Sequence, residues 1–173
     1  MATATRCAVT PDFVFAYREL ILSTMAAEMQ TTKKVIGAIP ESAKSYKPDP
    51  KSKNAHELAW HIASEDVAFL NKIADMKIAM TKPLPAPGTI AEILKYYEEN
   101  LPKAIKRVLD MSTEQLLTPV SFFGVMNQPV YQYLLMVNNH SVHHRGQLST
   151  YLRPMRSKVP SIYGGSADEP FKG

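Results

Sequence analysis

Apolar residues recur at intervals of three and four positions along four long stretches of the chain, a spacing that places them on one face of an α-helix. The stretches cover about residues 11–37, 54–80, 89–111 and 129–152. Prolines and glycines fall mostly between them. No stretch alternates apolar and polar residues for long enough to predict a sheet. The pattern predicts an all-α fold, a four-helix bundle, in one domain over residues 1–173.

Two of the predicted helices begin with a capping sequence. Asn54 stands three residues before Glu57, and Thr89 stands three residues before Glu92. In such a capping box the first side chain accepts from a free backbone N–H of the first turn, and the glutamate reaches back to the N–H of the capping residue. After the fourth helix, residues 153–173 contain further prolines and glycines and predict an irregular C-terminal arm.

Charge and composition narrow the classes of partner. The 20 Lys and Arg residues against 16 Asp and Glu residues give a net charge of +4. The excess of basic residues is small and spread along the chain, so we expect no nucleic-acid partner. No apolar run approaches the ~18 residues that span a bilayer, and the first ten residues lack the apolar core of a secretion signal. The single cysteine, Cys7, excludes an internal disulfide. We therefore expect a cytoplasmic protein that does not enter a membrane.

The five histidines carry most of the information about chemistry. At about 100° per residue, His140 and His144 fall on the inward face of the fourth helix, one turn apart, where their imidazoles can share one ion. His61 borders the inward face of the second helix, whereas His56 lies on the opposite, solvated side. A third imidazole from across the bundle leaves open positions on the ion for water or substrate. The sequence therefore predicts a divalent metal site at His61, His140 and His144.

Four further side chains are candidates to contact the metal ligands or to orient bound water: Glu65, His143, Gln147 and Tyr151. Glu65 follows His61 by one turn, and a carboxylate that faces a bundle core needs a cation or hydrogen bonds to compensate its burial. His143 lies at the edge of the inward face, so three roles stay open for it: surface residue, neighbour of the ligands, or ligand. For Gln147 and Tyr151, ordinary packing explains the position equally well.

The sequence His-Ser-Val-His-His-Arg-Gly-Gln-Leu at 140–148, together with Trp-His at 60–61, resembles the DinB/YfiT-like family of metal-dependent enzymes. Residues 159–169 resemble the C-terminal extension of that family. The resemblance implies a bundle of up-down-down-up topology, a homodimer, and a divalent metal held by one histidine of the second helix and the two outer histidines of the fourth-helix motif. Those are the same three histidines that the helical faces select.

Two functional hypotheses are compatible with such a site. In the first, Zn²⁺, Ni²⁺, Fe²⁺ or Mn²⁺ activates a thiol or a water for transfer or hydrolysis of a small-molecule substrate. The low-molecular-weight thiol comes from the resemblance, because the wider superfamily includes thiol S-transferases. In the second, the metal or the histidine pocket only holds a small ligand in a stress-response module. Imidazole suits several first-row ions, so the sequence does not select the metal. Arg145 points away from the inward face, and we predict a structural or interfacial role for it.

Overall fold

The computed structural model describes residues 9–171, so Cys7 lies outside the described part of the chain. Its helices and strands follow one another in the order α1 Pro11–Gly37, α2 Ala55–Ala74, α3 Ile90–Leu109, α4 Thr113–Leu117, β1 Pro119–Phe122, β2 Met126–Pro129 and α5 Val130–Leu152. A single 3₁₀ turn, Glu41–Ala43, lies between α1 and α2. The four long helices α1, α2, α3 and α5 pack on one apolar core, which confirms the predicted helical bundle.

Contacts between the helices give their directions. Asp66 of α2 meets Tyr97 of α3, and further along both helices Asp75 meets Arg107, so α2 and α3 run parallel. Contacts between α1 and α5 at two points along their lengths show that these two helices run parallel to each other. Contacts of α1 with α3, and of α5 with α2, show that this pair runs antiparallel to α2 and α3. The bundle therefore has the up-down-down-up topology that the resemblance implied.

The predicted capping boxes form at both helix starts. Asn54 accepts from the backbone N–H of Glu57 at 2.8 Å, and the Glu57 carboxylate accepts from the backbone N–H of Asn54 at 2.8 Å. Thr89 and Glu92 make the same reciprocal pair at the start of α3. The two devices satisfy backbone N–H groups that a first helical turn otherwise leaves free.

The second helix ends at Ala74, not near residue 80 as its apolar pattern predicted. Met76 adopts a left-handed backbone with φ of 55°, which stops the helix. Ile78 then forms a bridge with Phe122 of β1 and is buried there. The apolar residues after Ala74 thus pack against the hairpin instead of continuing the helix. The third helix likewise ends at Leu109, two residues before the predicted end.

A short helix and an antiparallel hairpin connect α3 to α5. The register pairs Val120 with Gln128 and Phe122 with Met126. Tyr133 of α5 ties the hairpin to the bundle, because its hydroxyl donates to the carbonyl of Val120 at 2.7 Å and accepts from the N–H of Gln128 at 3.0 Å. The hairpin therefore covers one end of the space between α2 and α5. Among the helices of residues 9–171, none combines the length and apolarity that a membrane crossing requires.

Arg18 and Arg145 are both buried, and Arg145 is the more deeply buried of the two. The side chain of Arg145 is 1% exposed and forms an ion pair with Glu28 of α1. It also donates to the hydroxyls of Thr32 and Tyr163. Because Tyr163 belongs to the C-terminal arm, which has no helix or strand over residues 153–171, Arg145 connects α1, α5 and the arm. These contacts agree with the structural role predicted for it, although the side chain is buried against α1, which the helical spacing did not predict.

We expect Arg145→Met to lower the free energy of unfolding by about 3 kcal/mol, because the substitution leaves the partly buried Glu28 without its cation. Arg107→Met is the matched control, since Arg107 pairs with Asp75 at the surface and such a pair contributes about 1 kcal/mol or less. Urea unfolding of both variants measures the difference. Equal losses of unfolding free energy in the two variants would show that the buried ion pair contributes no more to stability than the surface pair.

Candidate metal centre

Three histidines meet between α2 and α5 at mid-bundle. His140 and His144 are one turn apart on α5, and the antiparallel packing of α2 brings His61 opposite both. The Nε2 atom of His61 lies 3.1 Å from Nε2 of His140 and 3.2 Å from Nε2 of His144. Within residues 9–171 these three side chains form the one group of potential ligands close enough together to hold a metal ion.

The distances between the ring nitrogens suit a single small ion. Nitrogen ligands at ~2.1 Å from a divalent first-row metal, at angles between octahedral and tetrahedral, lie roughly 3.0–3.4 Å apart. The observed separations of 3.1 and 3.2 Å fall within that range. Three ligands also leave positions on the ion for a small molecule or water. The residues present therefore fit a divalent metal, and the geometry does not distinguish Zn²⁺ from Ni²⁺, Fe²⁺ or Mn²⁺.

The protonation states of the ring nitrogens favour metal binding. Burial first, and then the charges of His140, His144 and Lys53, lower the pKa of His61 to about 4. Burial also lowers the pKa of His144. Neutral imidazole is the ligating form. Gln147 fixes the tautomer of His144, because Nδ1–H of the ring donates to Gln147 Oε1 at 3.0 Å while the amide of Gln147 contacts the Tyr151 hydroxyl at 3.3 Å. The Nε2 lone pair of His144 then faces the other two rings.

A buried carboxylate that the sequence analysis missed lies beneath His140. Asp66 is fully buried, and its Oδ2 accepts from the hydroxyls of Tyr97 and Ser141, each at 2.8 Å. Burial first, and then the charge of Asp66, raise the pKa of Tyr97 well above its usual value, so the phenol keeps its proton and donates. The other oxygen, Oδ1, has no hydrogen-bond partner among residues 9–171 and lies 3.9 Å from Nδ1 of His140. It is therefore placed to orient that ring.

A sequence signal for Asp66 was present. The residue stands four positions after Ile62 and four before Leu70, and both of these are fully buried. Helical spacing therefore puts Asp66 on the inward face. Glu65 was predicted to lie on that inward face. In the structure it is half-buried and lines an open groove beside His61. The structure gives Glu65 no hydrogen bond to the three imidazoles, so its role at the site stays a prediction.

The remaining two histidines lie apart from the group of three. His143 is exposed, and its ring packs edge-on against His144 with 4.8 Å between the ring centroids. It is thus a neighbour of a candidate ligand, at the surface. His56 was expected to be solvated, but it is half-buried, because the chain from Tyr46 to Lys44 hydrogen-bonds to the start of α2. Its Nε2 has no partner within the described residues.

A groove of about 370 Å³ opens on the side of His61 away from the core. Its walls combine charged and apolar groups from α2 and from the connection that follows it. The lining includes Lys53, Glu57, Trp60, Ser64, Glu65 and Leu84. The indole N–H of Trp60 donates to the carbonyl of Leu84 at 3.1 Å, which fastens the connection to α2. The groove gives a small molecule a path to His61.

The sequence of the chain matches the family model described as "DinB family" over residues 11–170, nearly its whole length. The chain belongs to the DinB family. This confirms the family resemblance that the histidine motif carried. Because the match covers the four long helices and the arm, all three histidines lie within the shared region.

One relative in sequence and two solved structures are similar to this DinB-family protein. The uncharacterized protein YrdA of Bacillus subtilis (strain 168) is 21% identical over 158 residues, which are 90% of this chain and 93% of YrdA. The crystal structure of a DinB-like protein from Bacillus cereus ATCC 10987 aligns with a TM-score of 0.71 at 23% identity, covering 84% of this chain and 97% of that one. A DinB-like protein of Bacillus subtilis, YjoA, gives a TM-score of 0.68 at 24% identity, covering 83% and 97%. At these identities the likeness shows the fold.

We expect Asp66→Asn to weaken zinc binding by ~10–100-fold. The amide oxygen can still accept from Tyr97 and Ser141, but the amide then turns an N–H donor towards Nδ1 of His140. A donor there favours the tautomer with its proton on Nε2, the nitrogen that faces the other rings. Competition with a chromophoric chelator measures the affinity. Ser141→Ala, which keeps the carboxylate, should change it much less, and an unchanged affinity in Asp66→Asn would refute the orienting role.

The low pKa of His61 predicts acid sensitivity of the metal-free protein. An unfolded histidine titrates near ~6.5, whereas His61 in the fold titrates at about 4. Between these values the unfolded chain binds the proton more readily, so stability is lost as the pH falls from about 6.5 towards 4. Urea unfolding across this range should show a smaller loss for His61→Gln than for the unmodified chain. Parallel pH profiles would contradict the assignment.

Proposed function

We propose that this DinB-family protein is a metal-dependent enzyme whose divalent ion is held by His61, His140 and His144. The convergence of three Nε2 atoms carries the proposal. Gln147 directs one lone pair inwards and Asp66 is placed to direct another, so neutral rings would aim lone pairs at each other. Such an arrangement is repulsive unless a cation lies between them. The low pKa of His61 disfavours a protonated, cationic ring in that position and so supports a metal ion as the shared cation.

A bound divalent ion lowers the pKa of a thiol or water that contacts it, which provides a nucleophile near neutral pH. The chain supplies the surroundings for such chemistry. Its three imidazoles would occupy one side of the ion and leave the other side for a small molecule that enters along the groove. Lys53 offers a cation to an anionic substrate group, and Glu57 and Glu65 offer carboxylates that can take up a released proton.

A non-catalytic module that binds a metal or a small ligand is the second candidate, and one observation favours it. Within residues 9–171 no carboxylate belongs to the group formed by the three histidines. A general base would therefore have to act from the groove wall or through water. This candidate predicts a bound metal without turnover.

The family resemblance further suggests a low-molecular-weight thiol as co-substrate, a homodimer and a cytoplasmic location. The surface of α1 and α5 supports self-association, because Phe13, Leu20 and Leu135 are exposed by 43%, 62% and 42%. These neighbouring parallel helices offer an apolar area that a second copy of the chain can cover. Thiol, dimer and location stay predictions.

We expect the purified protein to bind about one divalent ion per chain, and we expect His140→Ala to lose it. His143→Ala is the matched control, because His143 lies on the same helix but outside the group of three. It should retain the ion. Elemental analysis after dialysis against each metal measures occupancy. Negligible metal in the unmodified chain, or equal occupancy in His140→Ala, would refute the site.

Turnover separates the two candidates. A panel of low-molecular-weight thiols is offered with an electrophilic aryl chloride, and the rate is followed in the metal-loaded, metal-free and His140→Ala proteins. A rate that follows metal occupancy supports the enzyme. Full occupancy with no rate above the buffer supports the binding module.

A further inference from the structure

A second cavity, less open than the groove, lies beside His140 and shares no lining residue with the groove. It measures about 140 Å³ and is lined by Phe69, Phe122, Met136, Val137 and His140. Four of these five side chains are apolar, and the fifth is one of the three histidines. The cavity thus touches the candidate metal centre without being part of the groove.

Three elements hold the walls of this cavity in place. Phe69 comes from α2, Met136 and Val137 from α5, and Phe122 from β1. Phe122 packs between Phe69 and Tyr133, with ring centroids 5.6 Å apart in each case. Tyr133 in turn is hydrogen-bonded to the hairpin. The space is therefore part of the packed fold between the helices and the hairpin.

We infer that this cavity receives a compact apolar group, about the size of a benzene ring, from the small molecule that binds at the three histidines. An enclosed apolar cavity of about 150 Å³ in another protein stays dry and binds benzene. The cavity beside His140 has nearly that size and offers no polar partners other than the imidazole to hold a water. A ligand that reaches both spaces would combine an apolar end here with a polar end towards Lys53 and the glutamates of the groove.

The cavity is tested first without metal. Benzene is titrated into the metal-free chain, and methyl NMR signals of Met136 and Val137 report binding. We expect saturable shifts at both residues and at least tenfold weaker binding in Val137→Phe, which fills the space. Leu148→Met, a buried change on α5 outside the cavity, should bind benzene as the unmodified chain does. An absence of shifts at benzene saturation, or unchanged affinity in Val137→Phe, would overturn the inference.

A second variant, which enlarges the cavity, keeps the test valid if Val137→Phe does not fold. Phe69→Leu shortens a half-buried wall residue, so it should admit naphthalene, which the unmodified chain should exclude. Equal naphthalene binding by both proteins would also contradict a cavity of this size.

The link to the metal centre rests on the proposed function and is tested separately. Binding of benzyl mercaptan and of 2-mercaptoethanol to the zinc-loaded protein is compared by calorimetry. We expect benzyl mercaptan to bind at least tenfold more tightly, and Val137→Phe should abolish this advantage. Equal affinities of the two thiols would overturn the inference that one ligand occupies both the metal centre and the cavity. If the protein binds none of the four divalent ions, the proposed function fails, and the benzene titration still decides whether the cavity takes an apolar group.

Discussion

The mutual repulsion of three imidazole lone pairs is the constraint on which this account depends. An antiparallel pair of helices brings Nε2 of His61 within 3.2 Å of the same atom in both His140 and His144. Burial lowers the pKa of His61 and of His144, so these two rings are neutral, and the one N–H that His61 could direct inwards cannot fully relieve its contact with both partners. A shared cation can, because each nitrogen then donates its lone pair to the ion. The rest of the bundle keeps the rings in this arrangement.

Polar groups buried in the core help to keep the three imidazole rings in place. Asp66 joins three helices through Tyr97 and Ser141 and leaves one oxygen facing His140. Buried groups of this kind are stabilising only when their partners are present. Arg145 has the same role one turn further along α5, where it joins α1 and the C-terminal arm. Within residues 140–148 of α5, some side chains therefore belong to the candidate metal centre, and others join α5 to the neighbouring elements that position it.

Helical spacing alone was enough to predict the bundle and the three histidines, because positions 140 and 144 must share a face and His61 borders the facing stripe. It failed where tertiary contacts decide. Ile78 continues the apolar period of α2, yet it packs on the hairpin, which no local pattern reveals. Glu65 and Asp66 are adjacent and both lie near the inward face by helical spacing, whereas the hydrogen bond from Tyr97 on α3 identifies Asp66 as the buried carboxylate. The cavity beside His140 likewise depends on where the hairpin packs against α2 and α5.

The central claim is that one ion sits between the three histidines, and anomalous diffraction from crystals of the zinc-loaded protein tests it most directly. The account predicts one strong peak at the zinc absorption edge, at ~2.1 Å from Nε2 of His61, His140 and His144 alike. A peak elsewhere, or rings that turn apart with no peak between them in crystals soaked with zinc, would contradict the account.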